Sequence, residues 1–91
     1  MMYLRVQWKH CLEDEPVELL SELDEARFEV RKVEIFRDGR KGYASNTESE
    51  RGACLSIEPV PGLAEIASDP QFLPEEISKE EFDLAWKNRS L

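Results

Sequence analysis

The sequence predicts an α+β fold, in which an antiparallel β-meander of four to five strands is followed by two helices and the C-terminal helix packs on the sheet. Three observations support this prediction. Apolar and polar residues alternate along several N-terminal segments, as they do in half-buried strands. An Asp38-Gly39 pair separates two of these segments, which is a strong signal of a β-hairpin. Ser78 begins a helix-start signature near the C-terminus.

The first two predicted strands precede the hairpin. In YLRVQWKH, the apolar residues Leu4, Val6 and Trp8 alternate with polar ones. Successive side chains of a strand point to opposite faces, so this spacing favours one core face and one solvated face. The segment VELLSEL, residues 17–23, alternates apolar residues with glutamates in the same way and predicts the second strand.

The third predicted strand leads into the hairpin, and its alternation contains an irregularity. Phe28 and Val30 share one parity, whereas Val33 and Ile35 share the other. A regular strand would place these two pairs on opposite faces of the sheet. A β-bulge near Arg31 and Lys32 would add one residue and return all four side chains to the core side.

The hairpin connects this strand, residues 27–36, to a fourth strand. We expect a two-residue type I′ loop made of Asp38-Gly39, because both central positions of that turn need a positive φ. Phe36 then opposes Lys41 on the outer face, and Tyr43 lies on the diagonal from Phe36. The turn therefore places two aromatic side chains among charged ones on the outer face.

The second half of the chain predicts one more strand and two helices. ACLSIE, residues 53–58, has the composition of a short fifth strand, and GLAEIASDP allows two helical turns with Leu63, Ile66 and Ala67 inward. The last helix is expected from Lys79 to about Asn88. Its start carries a capping box and a hydrophobic staple, and its apolar stripe has helical spacing. The capping box consists of Ser78 and Glu81, and the hydrophobic staple consists of Ile77 and Phe82. The apolar stripe consists of Phe82, Ala85 and Trp86.

Composition limits the class of protein. The 91 residues suit a single domain, residues 1–91. The formal net charge is -8, with 20 acidic against 12 basic residues, which argues against DNA or RNA as a partner because phosphate neutralisation dominates such binding. The sequence has neither a signal-peptide pattern nor an apolar run of the roughly 20 residues that cross a bilayer, so we expect a cytoplasmic protein without a membrane partner.

The residues that most often carry catalysis or bind metals form no recognisable set. His10 and Cys11 are adjacent, and adjacent residues on an extended strand point to opposite faces. Cys54 is the only other cysteine, so we expect reduced thiols, although the two could meet across a sheet. One His and two distant Cys do not make a ligand set for zinc. The sequence therefore predicts no enzyme activity, no metal and no cofactor.

Charge and aromatic residues instead favour a protein-binding module. The segment 12–26 holds seven acidic residues and no base, which would steer the protein to a partner with a basic surface. Such a module could be an immunity protein that blocks a basic toxin, or a mimic of nucleic-acid charge. The candidate interface residues are Glu13, Asp14, Glu15, Glu18, Glu22, Phe36 and Tyr43.

The basic hairpin offers a different function. Arg37, Arg40 and Lys41 could hold an anionic ligand of a small-molecule-binding or enzymatic domain, because guanidinium groups donate in pairs to phosphate and carboxylate. A pocket beside Gly42 with these side chains converging would support this function. The simpler alternatives are that the bases neutralise the acidic second strand or discourage edge pairing. The oligomeric state is predicted to be a monomer or a weak homodimer through Phe36 and Tyr43.

Three stretches of the chain carry a family resemblance. The run SELDEARFEVRKVEIFRDGRKGYA, with VQWKH before it and EEISKEEFDLAW after it, resembles a family of small bacterial proteins that carry a domain-of-unknown-function label. The resemblance extends over nearly the whole chain and implies a complete bacterial domain. It implies no catalytic or binding residue.

Overall fold

The secondary structure consists of strands β1 (Met2–Trp8), β2 (Glu18–Leu23), β3 (Glu29–Ile35), β4 (Lys41–Ser45), β5 (Ser49–Glu50) and β6 (Phe72–Glu76) and helices α1 (Leu63–Ala67) and α2 (Lys79–Lys87). A computed structural model describes residues 1–90. The strands form one antiparallel sheet in the order β5-β4-β3-β2-β1-β6, and α2 contacts β1, β2 and β3. This arrangement confirms the α+β prediction, with one strand more than the four to five expected.

The additional strand is β6, which pairs with β1 at one edge of the sheet. The amide of Lys9 donates to the Gln71 carbonyl (2.7 Å), and the amide of Ile77 donates to the Tyr3 carbonyl (2.9 Å). The backbone N–H and C=O groups of the odd-numbered residues of this segment therefore point toward β1. The ring nitrogen of Pro74 points away from β1, toward the free edge of the sheet. Proline is tolerated there because no ladder bond is lost, and it also blocks pairing with a further strand.

The hairpin has a longer loop than predicted. The amide of Phe36 donates to the Arg40 carbonyl (2.8 Å), and the amide of Gly39 donates back to the Phe36 carbonyl (3.0 Å). Gly39 has a φ of 93°, so the connection is a three-residue loop with Gly39 in the left-handed position. The predicted two-residue turn is wrong. The register of β4 shifts by one residue, and Tyr43 opposes Val33.

A bulge occurs in β3, next to Arg31 and close to the predicted place. Glu22 pairs with Arg31 and Leu23 pairs with Glu29, so Val30 is the extra residue. The bulge was expected to bring Phe28 to the core, and this part of the prediction is wrong because Phe28 is 38% exposed. The irregular alternation thus indicated a real bulge without fixing its effect.

Residues 53–58 form a loop and not the predicted fifth strand. This loop crosses the face of the sheet opposite α2 and is held there by polar contacts. Lys32 Nζ donates to the Cys54 carbonyl (3.1 Å), and the Ser56 amide donates to Glu29 Oε1 (2.7 Å). The chain then reaches Val60, whose amide donates to the Arg27 carbonyl (2.8 Å).

Helix α2 covers the other face of the sheet. Phe82 is completely buried in the main core cluster, and Ala85 and Trp86 pack against that cluster. Ser78 caps the helix by accepting the Glu81 amide (3.1 Å). These contacts confirm the predicted helix, its N-cap and its apolar stripe. The Glu81 carboxylate contacts Arg5 (3.2 Å) and so adds an ion pair to β1.

Candidate binding groove

A groove of about 340 Å³ lies on the face of the sheet opposite α2. Its floor comes from β1 and β2, and its walls come from the loop before α1, from α1 and from the start of β6. We call it the α1 groove. Its apolar lining residues are Leu4, Val6, Leu19, Val60, Ile66 and Phe72.

The strand register brings the floor residues together. Val6 pairs with Leu19 on β2 and with Pro74 on β6, so the side chains of Val6, Leu19 and Pro74 lie on the same face of the sheet. Leu4 is buried, whereas Val6 and Leu19 are half-buried. Helix α1 has only five residues, none of them buried, so it covers this face incompletely. The prediction that its apolar residues point inward therefore holds only in part, since Ile66 lines the groove without being buried.

The two ends of the α1 groove differ in charge. At one end Glu29 accepts from Ser21 Oγ (2.8 Å) and from the Ser56 amide (2.7 Å), and Lys32 Nζ lies 3.5 Å away. The protein itself therefore satisfies that carboxylate. At the α1 end, Glu65 and Asp69 line the groove without an ion pair among residues 1–90, although both carboxylate oxygens of Asp69 accept hydrogen bonds from Gln71 (3.1 Å each). The groove thus combines an apolar floor with unneutralised acidic groups.

An exposed isoleucine, Ile57, lies in the loop 53–58, which a hydrogen bond anchors to a residue of the α1 groove. Ile57 directly follows Ser56, whose amide binds the groove residue Glu29 (2.7 Å). The side chain of Ile57 is 90% exposed, the highest exposure among the large hydrophobic residues that the structure describes as exposed. A single exposed apolar residue is common, but one in a loop anchored to an apolar groove enlarges the surface that a partner can cover.

The structure divides the predicted acidic interface. Glu13, Asp14 and Glu15 are exposed in the loop between β1 and β2. Glu18 instead pairs with Arg5 (3.0 Å), and Glu22 is buried under α2. The last two residues therefore do not belong to an exposed acidic surface. The glutamate face of β2 was expected to be solvated, but α2 covers it.

The Glu22 carboxylate is held by an internal network. Arg31 donates two hydrogen bonds to it, at 2.7 and 2.9 Å, and the guanidinium lies over the rings of Phe82 and Trp86. The hydrogen bonds from Arg31 lower the pKa of Glu22, while burial, followed by hydrogen bonding to Glu22, raises the pKa of Tyr3. The network stabilises the contact between α2 and the sheet and leaves no open acid or base for chemistry.

The lowered pKa of Glu22 predicts an acid-dependent loss of stability. Because the folded-state pKa lies below the ordinary value of 4.5, this stabilisation is complete above that pH and is lost as the pH falls through the folded-state pKa. We expect the urea midpoint of the wild type to fall with acidification more steeply than that of Glu22→Gln. Parallel curves for the two proteins between neutral and acidic pH would contradict this assignment.

The two candidate aromatics lie on opposite faces of the sheet. Tyr43 packs edge-on against Trp86 with ring centroids 5.9 Å apart, under α2. Phe36 follows Ile35, which shares its face with Val33 and Tyr43, so Phe36 points the other way. The shared outer face predicted for Phe36 and Tyr43 is therefore wrong, and they do not form one surface for a homodimer.

The three candidate anion contacts also separate. Arg37 donates to the carbonyl oxygens of His10 (2.6 Å) and Leu12 (3.5 Å) and so holds the loop after β1. Arg40 Nε pairs with Asp38 (2.6 Å), and Lys41 Nζ donates to a carbonyl at the end of α2. Arg40 lines one pocket with Lys41 and another, acid-lined pocket with Arg37, and neither pocket is lined by all three.

The cysteines and the histidine occupy separate places. Cys11 and Cys54 are free and exposed. The His10 ring accepts the Leu12 amide at Nδ1 (2.9 Å) and donates from Nε2 to the Pro16 carbonyl (2.8 Å), so both nitrogens hold the loop. Within residues 1–90, no group of three or more His, Cys, Asp or Glu is arranged to hold a metal ion. Neither α1 nor α2 has the length and apolar character of a membrane-spanning helix.

Comparison with known proteins identifies a family. A family model described as a domain of unknown function, DUF6881, matches residues 2–91. The chain belongs to this family. Comparison with curated proteins and with solved structures gives no match. The description of the family assigns no activity, so function in this DUF6881 domain has to be inferred from its geometry.

The α1 groove of this DUF6881 domain was not predicted from the sequence. Two of its lining residues, Ile66 and Phe72, lie far from β1 in the sequence. Phe72 reaches the groove because β6 pairs with β1, and Ile66 reaches it from α1, which precedes β6. The one local signal was Ile57, an isoleucine in a Pro-containing stretch that forms no strand. Apolar residues in such a loop either cover a core or remain exposed, and Ile57 remains exposed.

Proposed function

We propose that this DUF6881 domain is a non-enzymatic module that binds a protein with a basic surface. In this proposal the α1 groove takes one apolar side chain of the partner, and neighbouring Lys or Arg residues of the partner meet the acidic end of the groove. The observation that carries the proposal is the position of two acidic groups next to a half-exposed apolar floor: Glu65, and Asp69, whose negative charge is hydrogen-bonded by Gln71 but not paired with a base in the described chain.

The size of the groove favours one anchoring side chain. Its volume of about 340 Å³ lies near the lower end of the range for ligand pockets. Full burial of a Leu or Phe side chain contributes about 1.5–3 kcal/mol. Ile57, in the loop anchored to Glu29, offers further exposed apolar area to a partner. Such anchors at the centre of an interface, with charged groups around them, account for most of the affinity in many complexes.

The net charge of -8 supports the basic character of the partner. Charge complementarity steers diffusional encounter and raises the association rate. A basic toxin neutralised by an immunity protein and a nucleic-acid-binding protein blocked by a charge mimic are both partners of this chemistry. Both settings fit a small domain with this excess of acidic residues.

The proposal is tested with a fluorescent peptide that has one central Leu between two pairs of Lys. We expect saturable binding to the wild type, measured by anisotropy, and about tenfold weaker binding to Ile57→Ser, which is roughly 1.4 kcal/mol. Leu84→Ser is the matched control, because Leu84 is an exposed apolar residue on the outer side of α2. Equal binding of a peptide with Ser in place of the central Leu would contradict the anchoring groove.

The acidic end is tested by charge reversal. We expect Glu65→Lys with Asp69→Lys to weaken peptide binding at least tenfold, or about 1.4 kcal/mol. The control is a doubly charge-reversed protein, Glu80→Lys with Glu25→Lys, which carries the same net charge but changes neither the groove nor the acidic loop 13–15. Equal weakening in both proteins would mean that net charge alone determines binding and that the groove has no special role.

A separate prediction concerns the exposed acidic loop Glu13–Glu15. Neutralising all three residues to Gln, Asn and Gln is expected to slow association with the basic peptide and to leave dissociation nearly unchanged, because charges outside a contact act mainly on encounter. Stopped-flow fluorescence at low and high salt measures both rates. A faster dissociation without a change in association would place this loop inside the interface.

A further inference from the structure

A second pocket, of about 550 Å³, lies at the opposite end of the sheet from the α1 groove. It is enclosed by the hairpin, by the turn after β5 and by the segment after α2. Its charged lining consists of Arg40, Lys41, Arg51 and Arg89 with Asp38 and Glu50. Four basic side chains against two acidic ones form a local excess of positive charge in a protein whose net charge is -8.

Most of these basic groups already have a partner within the protein. Arg89 donates to Glu48 through Nε and Nη2, at 3.0 and 2.8 Å, and to the Trp86 carbonyl through Nη1 (2.8 Å). Arg40 uses Nε for Asp38 (2.6 Å), and Lys41 uses one Nζ proton for the Asn88 carbonyl (3.2 Å). Lys41 and Arg40 thus keep further N–H groups that are not needed for these contacts.

Arg51 differs from the other basic residues of the pocket. Its φ is 57° and that of Gly52 is 75°, and the Ala53 amide donates to the Glu50 carbonyl (3.2 Å), as in a type I′ turn. Gly or Asn is preferred at such positions, and a long side chain there strains the backbone. Within residues 1–90, the Arg51 guanidinium has neither an ion pair nor a hydrogen bond that would account for an arginine at this position.

Arg27 provides an internal comparison. It is the other non-glycine residue with a positive φ in the described chain, at 68°. Its guanidinium donates to the carbonyl oxygens of Val60 (2.7 Å) and Pro61 (2.6 Å), which fixes the loop beside the α1 groove. The guanidinium of Arg27 therefore has a structural role that accounts for an arginine at a strained backbone position. Arg51 has no such internal partner among residues 1–90, and its side chain lines the basic pocket.

We infer that this pocket binds a phosphate-bearing small molecule, with Arg51, Arg40 and Lys41 as the groups that contact the phosphate. Guanidinium groups match the paired oxygens of a phosphate, and a lysine adds a compact positive charge. Gly42 permits the arrangement, because a Cβ there would lie 3.1 Å from the Glu50 carbonyl oxygen and 3.4 Å from Arg51 Cβ. The volume is within the usual range for small-molecule sites.

The test uses pyrophosphate as the probe at constant ionic strength, with binding measured by calorimetry. We expect saturable binding to the wild type and at least a tenfold loss of affinity in Arg51→Gly. Because glycine relieves the backbone strain, the same variant is expected to unfold at a higher temperature than the wild type. A loss of binding in a more stable protein separates a ligand-binding role from a structural one.

Lys9→Gln is the charge-matched control, since Lys9 is exposed at the end of β1 and lies outside the pocket. Its affinity for pyrophosphate is expected to equal that of the wild type. Equal affinity in Arg51→Gly and the wild type, an equal loss in Lys9→Gln, or succinate binding as tightly as pyrophosphate would each overturn the inference. If ADP binds more tightly than pyrophosphate, the phosphate is carried by a nucleotide, and equal affinities identify the phosphate group alone as the recognised part.

Discussion

Phe82→Ala is expected to lower the free energy of unfolding by about 3–5 kcal/mol, the range for removing a buried Phe side chain. Phe82 is completely buried and packs against Tyr3, with ring centroids 5.6 Å apart, so the truncation would leave a cavity between α2 and the sheet. Small domains have only about 5–15 kcal/mol of stability in total. Urea denaturation followed by circular dichroism measures the loss.

The matched control for this prediction is Leu84→Ala. Leu84 is also in α2 but is 62% exposed, so its truncation removes little buried area and is expected to change stability by less than about 0.5 kcal/mol. Similar losses in Phe82→Ala and Leu84→Ala would contradict the packing of α2 through its Phe82 side.

Arg31→Met is the second large effect and is expected to cost about 3–5 kcal/mol, because it leaves the buried Glu22 carboxylate without its partner. Arg31 also contacts Asp83 (3.1 Å) and covers the rings of Phe82 and Trp86, so it links β2, β3 and α2. Methionine keeps much of the volume and the apolar contact of the arginine stem, which isolates the loss of the charge.

A double variant separates the charge from the packing. Replacing both partners, as in Arg31→Met with Glu22→Leu, removes the unpaired buried charge and is expected to restore much of the lost stability, since apolar replacement of a buried ion pair is often close to neutral. Urea midpoints of the wild type, both single variants and the double variant form the required cycle. Losses that simply add would contradict a direct Glu22–Arg31 interaction.

Local signals in the sequence predicted the parts of the fold that depend on neighbouring residues. The Ser78 cap and the spacing of Phe82, Ala85 and Trp86 fixed α2, because capping and helical periodicity act within a few residues. The alternation in β1 and β2 fixed two central strands. In α2 the residues that gave the pattern also make the contacts, whereas the main core cluster takes Tyr3 and Leu20 from the faces of β1 and β2 that the alternation had marked as polar.

The hairpin register needed tertiary information. An Asp-Gly pair suits both a two-residue type I′ turn and a three-residue loop that ends with Gly in the left-handed position. The structure has the second form, which places Tyr43 under α2 against Trp86. Nothing within residues 36–41 distinguishes the two loops, since the choice depends on a helix about forty residues later in the chain.

The candidate site was less predictable than the fold. The segment 72–76 was not predicted as a strand; it forms the edge strand β6, whose Pro74 faces the free side. Without β6 the position of α1 is undefined, and the α1 groove cannot be anticipated. Glu22 was assigned to the solvated face because it alternates with apolar residues, whereas α2 and Arg31 bury it. Long-range contacts of this kind leave no local pattern.

The position of the bound peptide tests the central claim most directly. We would titrate the Leu-centred lysine peptide into isotopically labelled protein and map the amide chemical-shift changes by NMR. We expect the largest changes at residues of the α1 groove, among them Val6, Leu19 and Ile66, and at Ile57. Changes confined to the loop 13–15 or to the outer side of α2, or no saturable change at all, would contradict this claim.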